Sequence, residues 1–334
     1  MTSEVNPTKK SPMRKIGRFT ITDKLGSGSN GSVYLGHDPV IDRQVAIKIL
    51  NNPTGAGDKS QREQQFINEA RAAGRLSHPN IVTIFDASTE NGSSFIAMEF
   101  LQGKDLRSLI DGGTQFTPIE CASIIYKVAN ALAYAHGHGV IHRDIKPGNI
   151  FVLENNQPKV VDFGIARVPN RTVDENGQPQ TLFKNNIMGT PNYMSPEQAM
   201  SQPVTALTDV YSLGAVLYEL VTGQKPFIKS DFEQLLGAII RKNPKEPHLI
   251  NPKIPEKLSY IIMKAMRKKP SQRYQGAAEM AKALNKFIVE GKRNGRGETD
   301  TSSNWDTWKK NPMFWFCSVS LFIATVIVSL SLRN

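Results

Sequence analysis

The sequence predicts an α+β protein of two lobes, a small antiparallel sheet carrying one helix and then a larger, mainly helical lobe, with a C-terminal transmembrane helix. Three observations carry this. Before about residue 101 apolar residues recur with strand spacing, interrupted by a single helical pattern. After Gly103 long helical patterns dominate. Residues 313–332 then form 20 consecutive residues without a charge.

The elements follow in order. Residues 1–17 are polar and basic with two prolines, and predict a disordered arm. The first lobe, 18–101, contains FTITDKL, SVYLGHD, RQVAIKIL, IVTIFDAS and SFIAMEF, strand-like runs set between Gly, Asn and Asp turns. Within it, residues 60–76 have helical spacing, with Phe66, Ala70, Ala73 and Leu76 on one side. The second lobe, 102–290, shows helical patterns at 118–138, 208–222, 232–241, 256–267 and 275–290. Between the first two of these lies a polar, Gly- and Pro-rich stretch with short strand-like runs (VIH, NIFVL, KVVDF). Such loops on a rigid base commonly carry catalysis. Residues 291–312 read as a juxtamembrane linker.

The run at 313–332 is long enough to cross a hydrocarbon core of about 30 Å as a helix. Trp305, Trp308, Trp315, Lys309 and Lys310 stand at its front as interfacial anchors and favour a cytoplasmic N-terminal side. The start has no apolar run of signal-peptide length, and only Arg333 and Asn334 follow the apolar run, so no extracytoplasmic domain is expected. Cys121 and Cys317 are the only cysteines, which excludes a disulfide framework. The formal charge of +11 is concentrated partly at both flanks and suits an anionic surface. No basic-and-aromatic recognition pattern appears, so nucleic acid is not expected and a lipid bilayer is.

Three motifs carry chemistry. Gly26-Ser27-Gly28-Ser29-Asn30-Gly31-Ser32-Val33 follows a strand ending at Leu25, and its glycines let backbone N–H groups approach phosphates. A strand, not a helix, comes next, which points away from a dinucleotide fold. Lys48, in Val45-Ala46-Ile47-Lys48, needs a negative partner if its ammonium is turned inward, and Glu69 on the following helix is the candidate. Finally, His142-Arg143-Asp144-Ile145-Lys146-Pro147-Gly148-Asn149 and Asp162-Phe163-Gly164 place two acids, a lysine and an amide between apolar strands. Metal ligands, charge neutralisation and a group orienting a nucleophile are the requirements of phosphoryl transfer.

With these motifs the sequence resembles the eukaryotic-type serine/threonine protein kinase family over roughly residues 18–290. The resemblance implies the bilobal kinase fold with ATP between the lobes. The loop from Leu25 to Val33, Ala46 and Lys48 would enclose ATP, with Met98 behind the adenine and Glu99 to Leu101 as the hinge. Lys48 would hold the α- and β-phosphates and pair with Glu69. Asp144 would accept the substrate hydroxyl proton, Lys146 would neutralise the γ-phosphate, and Asn149 and Asp162 would bind Mg2+, with Mn2+ as an alternative. Thr190, Glu197, Asp209 and Arg273 would be supports: Thr190 near Asp144, Glu197 paired with Arg273, and Asp209 on the catalytic-loop backbone.

Lys146 and the Gly189-Thr190-Pro191 to Glu197 segment resemble serine/threonine rather than tyrosine kinases. Arg143 beside Asp144 implies an activation loop ordered by phosphorylation, with Thr181 preferred over Thr172 as the acceptor. Asn30 stands where the family often has an aromatic residue, and residues 170–180 are unusually long and polar. The Pro196-Glu197-Gln198-Ala199 text and the apolar run resemble bacterial kinases anchored in the inner membrane, acting on proteins and, through homodimers, on each other. The rival expectations are a membrane-bound pseudokinase scaffold and a small-molecule phosphotransferase of the same fold.

Overall fold

A computed structural model describes residues 15–28, 31–50, 59–90, 93–163, 172–173, 179–180 and 191–294. Six antiparallel strands form the first sheet: β1 (Lys15–Ile16), β2 (Phe19–Gly28), β3 (Gly31–Asp38), β4 (Arg43–Leu50), β5 (Ile84–Glu90) and β6 (Ser93–Glu99). Their order is β1-β2-β3-β4-β6-β5. The five strands expected from the sequence are all present. β1, too short to show a period, pairs with β2 ahead of them, so the sheet starts within the stretch expected to be a disordered arm.

Alternation along β4 decides what each face meets. Val45 and Ile47 are fully buried with Phe19, Phe95 and Ala97 in a small cluster on one side. Ala46 and Lys48 belong to the other side, where Ala46 joins the large core together with Met98, its partner across the ladder. Helix α1 (Lys59–Gly74) packs on that side through Phe66, Ala70 and Ala73.

A second sheet joins β7 (Gly103–Asp105), β8 (Ile150–Leu153) and β9 (Pro158–Val160). β10 (Thr172–Val173) and β11 (Pro179–Gln180) pair antiparallel within the long polar segment. The helices are α2 (Leu106–Asp111), α3 (Pro118–Gly137), α4 (Pro196–Ala199), α5 (Ala206–Thr222), α6 (Phe232–Arg241), α7 (Pro247–Ile250), α8 (Glu256–Ala265) and α9 (Ala277–Asn294). α3 starts on a capping box in which Thr117 and Glu120 exchange bonds with each other's backbone N–H, with Pro118 in the first turn. α5 is buried along almost its whole length. At Gly214 it approaches α8 so closely that an added Cβ would lie 2.8 Å from the Ala265 Cβ.

α9 runs to Asn294, four residues into the expected linker, and there Gly291 lies so close to α3 that an added Cβ would be 3.1 Å from Ile119 Cδ1. Among the described residues no helix is long and apolar enough to cross a membrane. The apolar run at 313–332 and the linker from 295 lie outside the described residues.

Candidate active site

Asp209, fully buried in the first turn of α5, organises the loop that carries the reactive groups. Its carboxylate accepts from the backbone N–H of His142 and of Arg143, both at 2.8 Å, and meets His136 Nε2 at 2.8 Å. Arg143 needs this support because its φ of 66° lies in the left-handed region, which costs a non-glycine residue about 1–2 kcal/mol. The buried His142 ring links the loop to the strand behind it. Its Nδ1 accepts from the Asp144 N–H at 3.2 Å, so Nε2 bears the hydrogen donated to the Val161 carbonyl at 2.9 Å. Phe163 packs on this ring with centroids 4.7 Å apart.

Two charged groups meet across the lobes. Lys48 Nζ from β4 lies 2.6 Å from Asp162 Oδ2, just beyond β9. Lys48 is only 8% exposed, so its ammonium depends on that partner. Asp162 itself has a φ of 61°, a second strained residue at the same place. On the loop, Lys146 Nζ lies 2.9 Å from Asp144 Oδ2, and Asn149 Nδ2 donates to the Asp144 carbonyl at 2.8 Å. That commits the Asn149 amide nitrogen and leaves Oδ1 as the atom for a cation. The Asn149 carbonyl accepts from Val161 N–H at 3.0 Å, which ties the loop to the Asp162 segment.

The glycine hairpin closes with Gly28 opposite Gly31. Gly31 has a φ of 146°, and a Cβ there would lie 2.1 Å from the Ile49 carbonyl oxygen, so only glycine fits. Gly26 and Gly28 border open space. Leu25 is half-exposed, and Val33 packs partly against the large core. Glu69 sits half-buried on α1. Ser29, Asn30, Thr181 and Thr190 lie outside the described residues.

Glu197 and Arg273 form a bidentate pair at 2.8 and 2.7 Å. Arg273 also donates to the carbonyls of Leu207, Lys268 and Arg267, so all its guanidinium nitrogens are engaged. Burial raises the Glu197 pKa, but the Arg273 pair outweighs it and holds the carboxyl below its ordinary value.

Four participants were not foreseen. Gln198 Nε2 donates to the Arg143 carbonyl at 2.8 Å, joining α4 to the loop. Lys159 on β9 lies 2.8 Å from Glu99, bracing the strand end expected to bind the base. Arg107 of α2 donates to both oxygens of Glu219 at 2.7 and 2.8 Å, and the Tyr193 hydroxyl donates to the same carboxylate. Lys268 lies over the Phe227 ring, 4.5 Å from its centroid, and donates to the Ile239 carbonyl. No sequence pattern marks these pairs. The only local hint was Gln198, three residues after Ser195, which forms a capping box.

The sequence pattern of the protein kinase domain family matches residues 19–286. The chain is 39% identical over 273 residues to the serine/threonine-protein kinase PknB of Mycolicibacterium smegmatis, covering 80% of this chain and 43% of that protein. It is 36% identical over 267 residues to the serine/threonine-protein kinase PrkC of Bacillus subtilis, covering 80% of this chain and 40% of that protein. The chain thus spans well under half the length of these relatives. In structure it resembles the PknI kinase domain of Mycobacterium tuberculosis, with a TM-score of 0.65 at 25% identity, covering 83% of this chain and 99% of that one.

Proposed function

The chain belongs to the protein kinase family, and from that premise we propose that it transfers the γ-phosphoryl group of MgATP to serine and threonine hydroxyls of proteins, including its own. The observation that carries this reading is the meeting of Lys48 and Asp162 across the lobes, beside a loop on which Asp144 is flanked by Lys146 and Asn149. No packing requirement assembles that set.

The donors fit the group the reaction requires. Asn149 Oδ1 and the Asp162 carboxylate are hard oxygen ligands, and two protein ligands suit Mg2+, which retains water and phosphate oxygens. When bound, the ion neutralises charge on the phosphate oxygens. The chain's own residues do the rest. Lys48, paired with Asp162 and on this reading also with Glu69, takes the α- and β-phosphates. Lys146 offsets charge at the γ-phosphate, and Asp144 orients the attacking hydroxyl and accepts its proton. Leu25, Val33, Ala46, Met98 and Leu101 enclose the adenine, with the Glu99–Leu101 backbone as its hydrogen-bonding edge. That both relatives are serine/threonine-protein kinases favours serine and threonine over tyrosine.

The same reading places the kinase on the cytoplasmic side of a bacterial inner membrane, anchored by residues 313–332. Thr181 is the activating acceptor whose phosphate Arg143 would bind, modified in trans within a homodimer that membrane confinement favours. Incubation of residues 1–300 with labelled MgATP and a general protein substrate, followed by phosphosite mapping, tests the proposal. Label on Ser and Thr, with Thr181 among the sites, is expected. Nucleotide binding without transfer would point to a scaffold instead.

A further inference from the structure

Helix α9, the last described element before the apolar run, has a basic face that no other described residue covers. Met280, Ala281, Leu284, Phe287 and Ile288 bury its other side. At its end an added Cβ on Gly291 would lie 3.1 Å from Ile119 Cδ1 of α3, so the helix is pinned to the lobe. Lys282, Lys286, Val289 and Arg293 all stand exposed. At 100° per residue they fall within an arc of about 60°. Among the described residues none of the three cations has a hydrogen bond or a close ion pair, although Lys282 feels Glu279, and Lys286 and Arg293 feel Glu290, electrostatically along the helix.

The acidic residues of α9 make their direct bonds to α8. Glu279 pairs with Lys264 at 3.1 Å and Glu290 with Lys257, both from α8. These bridges set α8 antiparallel to α9 and leave Tyr260, 64% exposed, between them. The surface therefore combines exposed cations in excess of their nearby carboxylates with an aromatic and an aliphatic side chain, the composition of a face that rests on lipid headgroups.

We propose that this face of α9 docks on an anionic bilayer and sets the orientation of the catalytic lobe on the membrane. The inference rests on the reading of residues 313–332 as a membrane anchor. Eighteen residues, 295–312, connect α9 to that run. A random coil of eighteen residues averages about 23 Å end to end, a reach that would keep α9 close to the headgroups. Attraction to them fades beyond a Debye length of about 8 Å, so it acts on a face laid directly against the surface. Each cation held there strengthens binding about fivefold. Nucleic acid is the other polyanion of matching charge, but no recognition pattern accompanies the basic residues.

The test uses the full chain reconstituted in phosphatidylcholine vesicles and in vesicles rich in phosphatidylglycerol. Amine-reactive labelling is read residue by residue by mass spectrometry. Lys282, Lys286 and Lys292 are expected to react several-fold more slowly in the anionic vesicles and to recover in about 0.5 M salt, while Lys24 in β2 reacts alike in both. The triple variant Lys282→Glu, Lys286→Glu, Arg293→Glu should abolish the slowing at Lys292 without lowering the unfolding temperature. Equal rates in the two vesicles overturn the proposal. So does protection by added RNA in neutral vesicles with none from the anionic lipid. A chain that floats with neither vesicle removes the anchor itself, a result distinct from equal labelling of an anchored chain.

Discussion

Glu197→Ala is the perturbation with the most calculable outcome. It leaves Arg273, 2% exposed, as a buried cation. The guanidinium retains its bonds to the Leu207, Lys268 and Arg267 carbonyls and loses both bonds to a carboxylate. The Thr208 hydroxyl loses its acceptor as well. Breaking such a pair from one side costs about 3–5 kcal/mol, because a charge is left buried without compensation. At roughly 2–4 °C per kcal/mol for a domain of this size, the melting temperature should fall by about 10 °C in scanning calorimetry. Replacing both partners by apolar residues, Glu197→Leu with Arg273→Met, removes the orphaned charge and should recover at least half of the loss. If the double variant melts no higher than Glu197→Ala, the penalty comes from lost packing or bonding of α4, not from the unpaired cation.

Three further outcomes follow from the same geometry. Lys159→Met removes the brace on Glu99, and the KM for ATP should rise about three- to tenfold in steady-state kinetics while kcat changes less than twofold. Arg107→Ala leaves Glu219 buried beside the Tyr193 hydroxyl alone. Because Arg107 is itself 30% exposed, the loss measured by urea denaturation should be about 2–3 kcal/mol, below the roughly 3–5 kcal/mol of a fully buried pair. Lys268 is held at about 8, below the ordinary lysine value, by burial first and by neighbouring Arg273 second. The unfolded chain binds that proton more tightly, so stability rises with pH from about 8 towards 10.5. Allowing for partial solvent exposure the rise is about 1–2 kcal/mol, and Lys268→Met should remove it from the difference in melting temperature between the two pH values.

The residues of the candidate site stood out in the sequence because phosphoryl transfer demands unusual residues in a short span. Asp144, Lys146 and Asn149 share one loop, and Asp162 follows one hairpin later. Long helices such as α3, α5 and α6 were legible from period alone. β1, β7 and α2 were not, since two to six residues cannot display a period. The pairing of Glu197 with Arg273 spans 76 positions and was reached only through resemblance. Arg107 with Glu219 and Lys159 with Glu99 had no such guide. Each residue is ordinary in its own segment, and its partner is fixed by how separate elements pack. α9 outran its expected end with Gly291 packed against Ile119 of α3, a contact between distant segments that the linker-like composition after residue 290 does not show.

The central claim is that Asp144 serves the transfer of phosphate to a hydroxyl. It is tested most directly by comparing the parent chain and Asp144→Asn with labelled MgATP and a general protein substrate. The substitution keeps the side chain's size and removes its basicity. The account predicts label on serine and threonine for the parent and a fall in kcat of about 10²–10⁴ for the variant, with the KM for ATP within about twofold. A variant that transfers phosphate at the parent rate would contradict it.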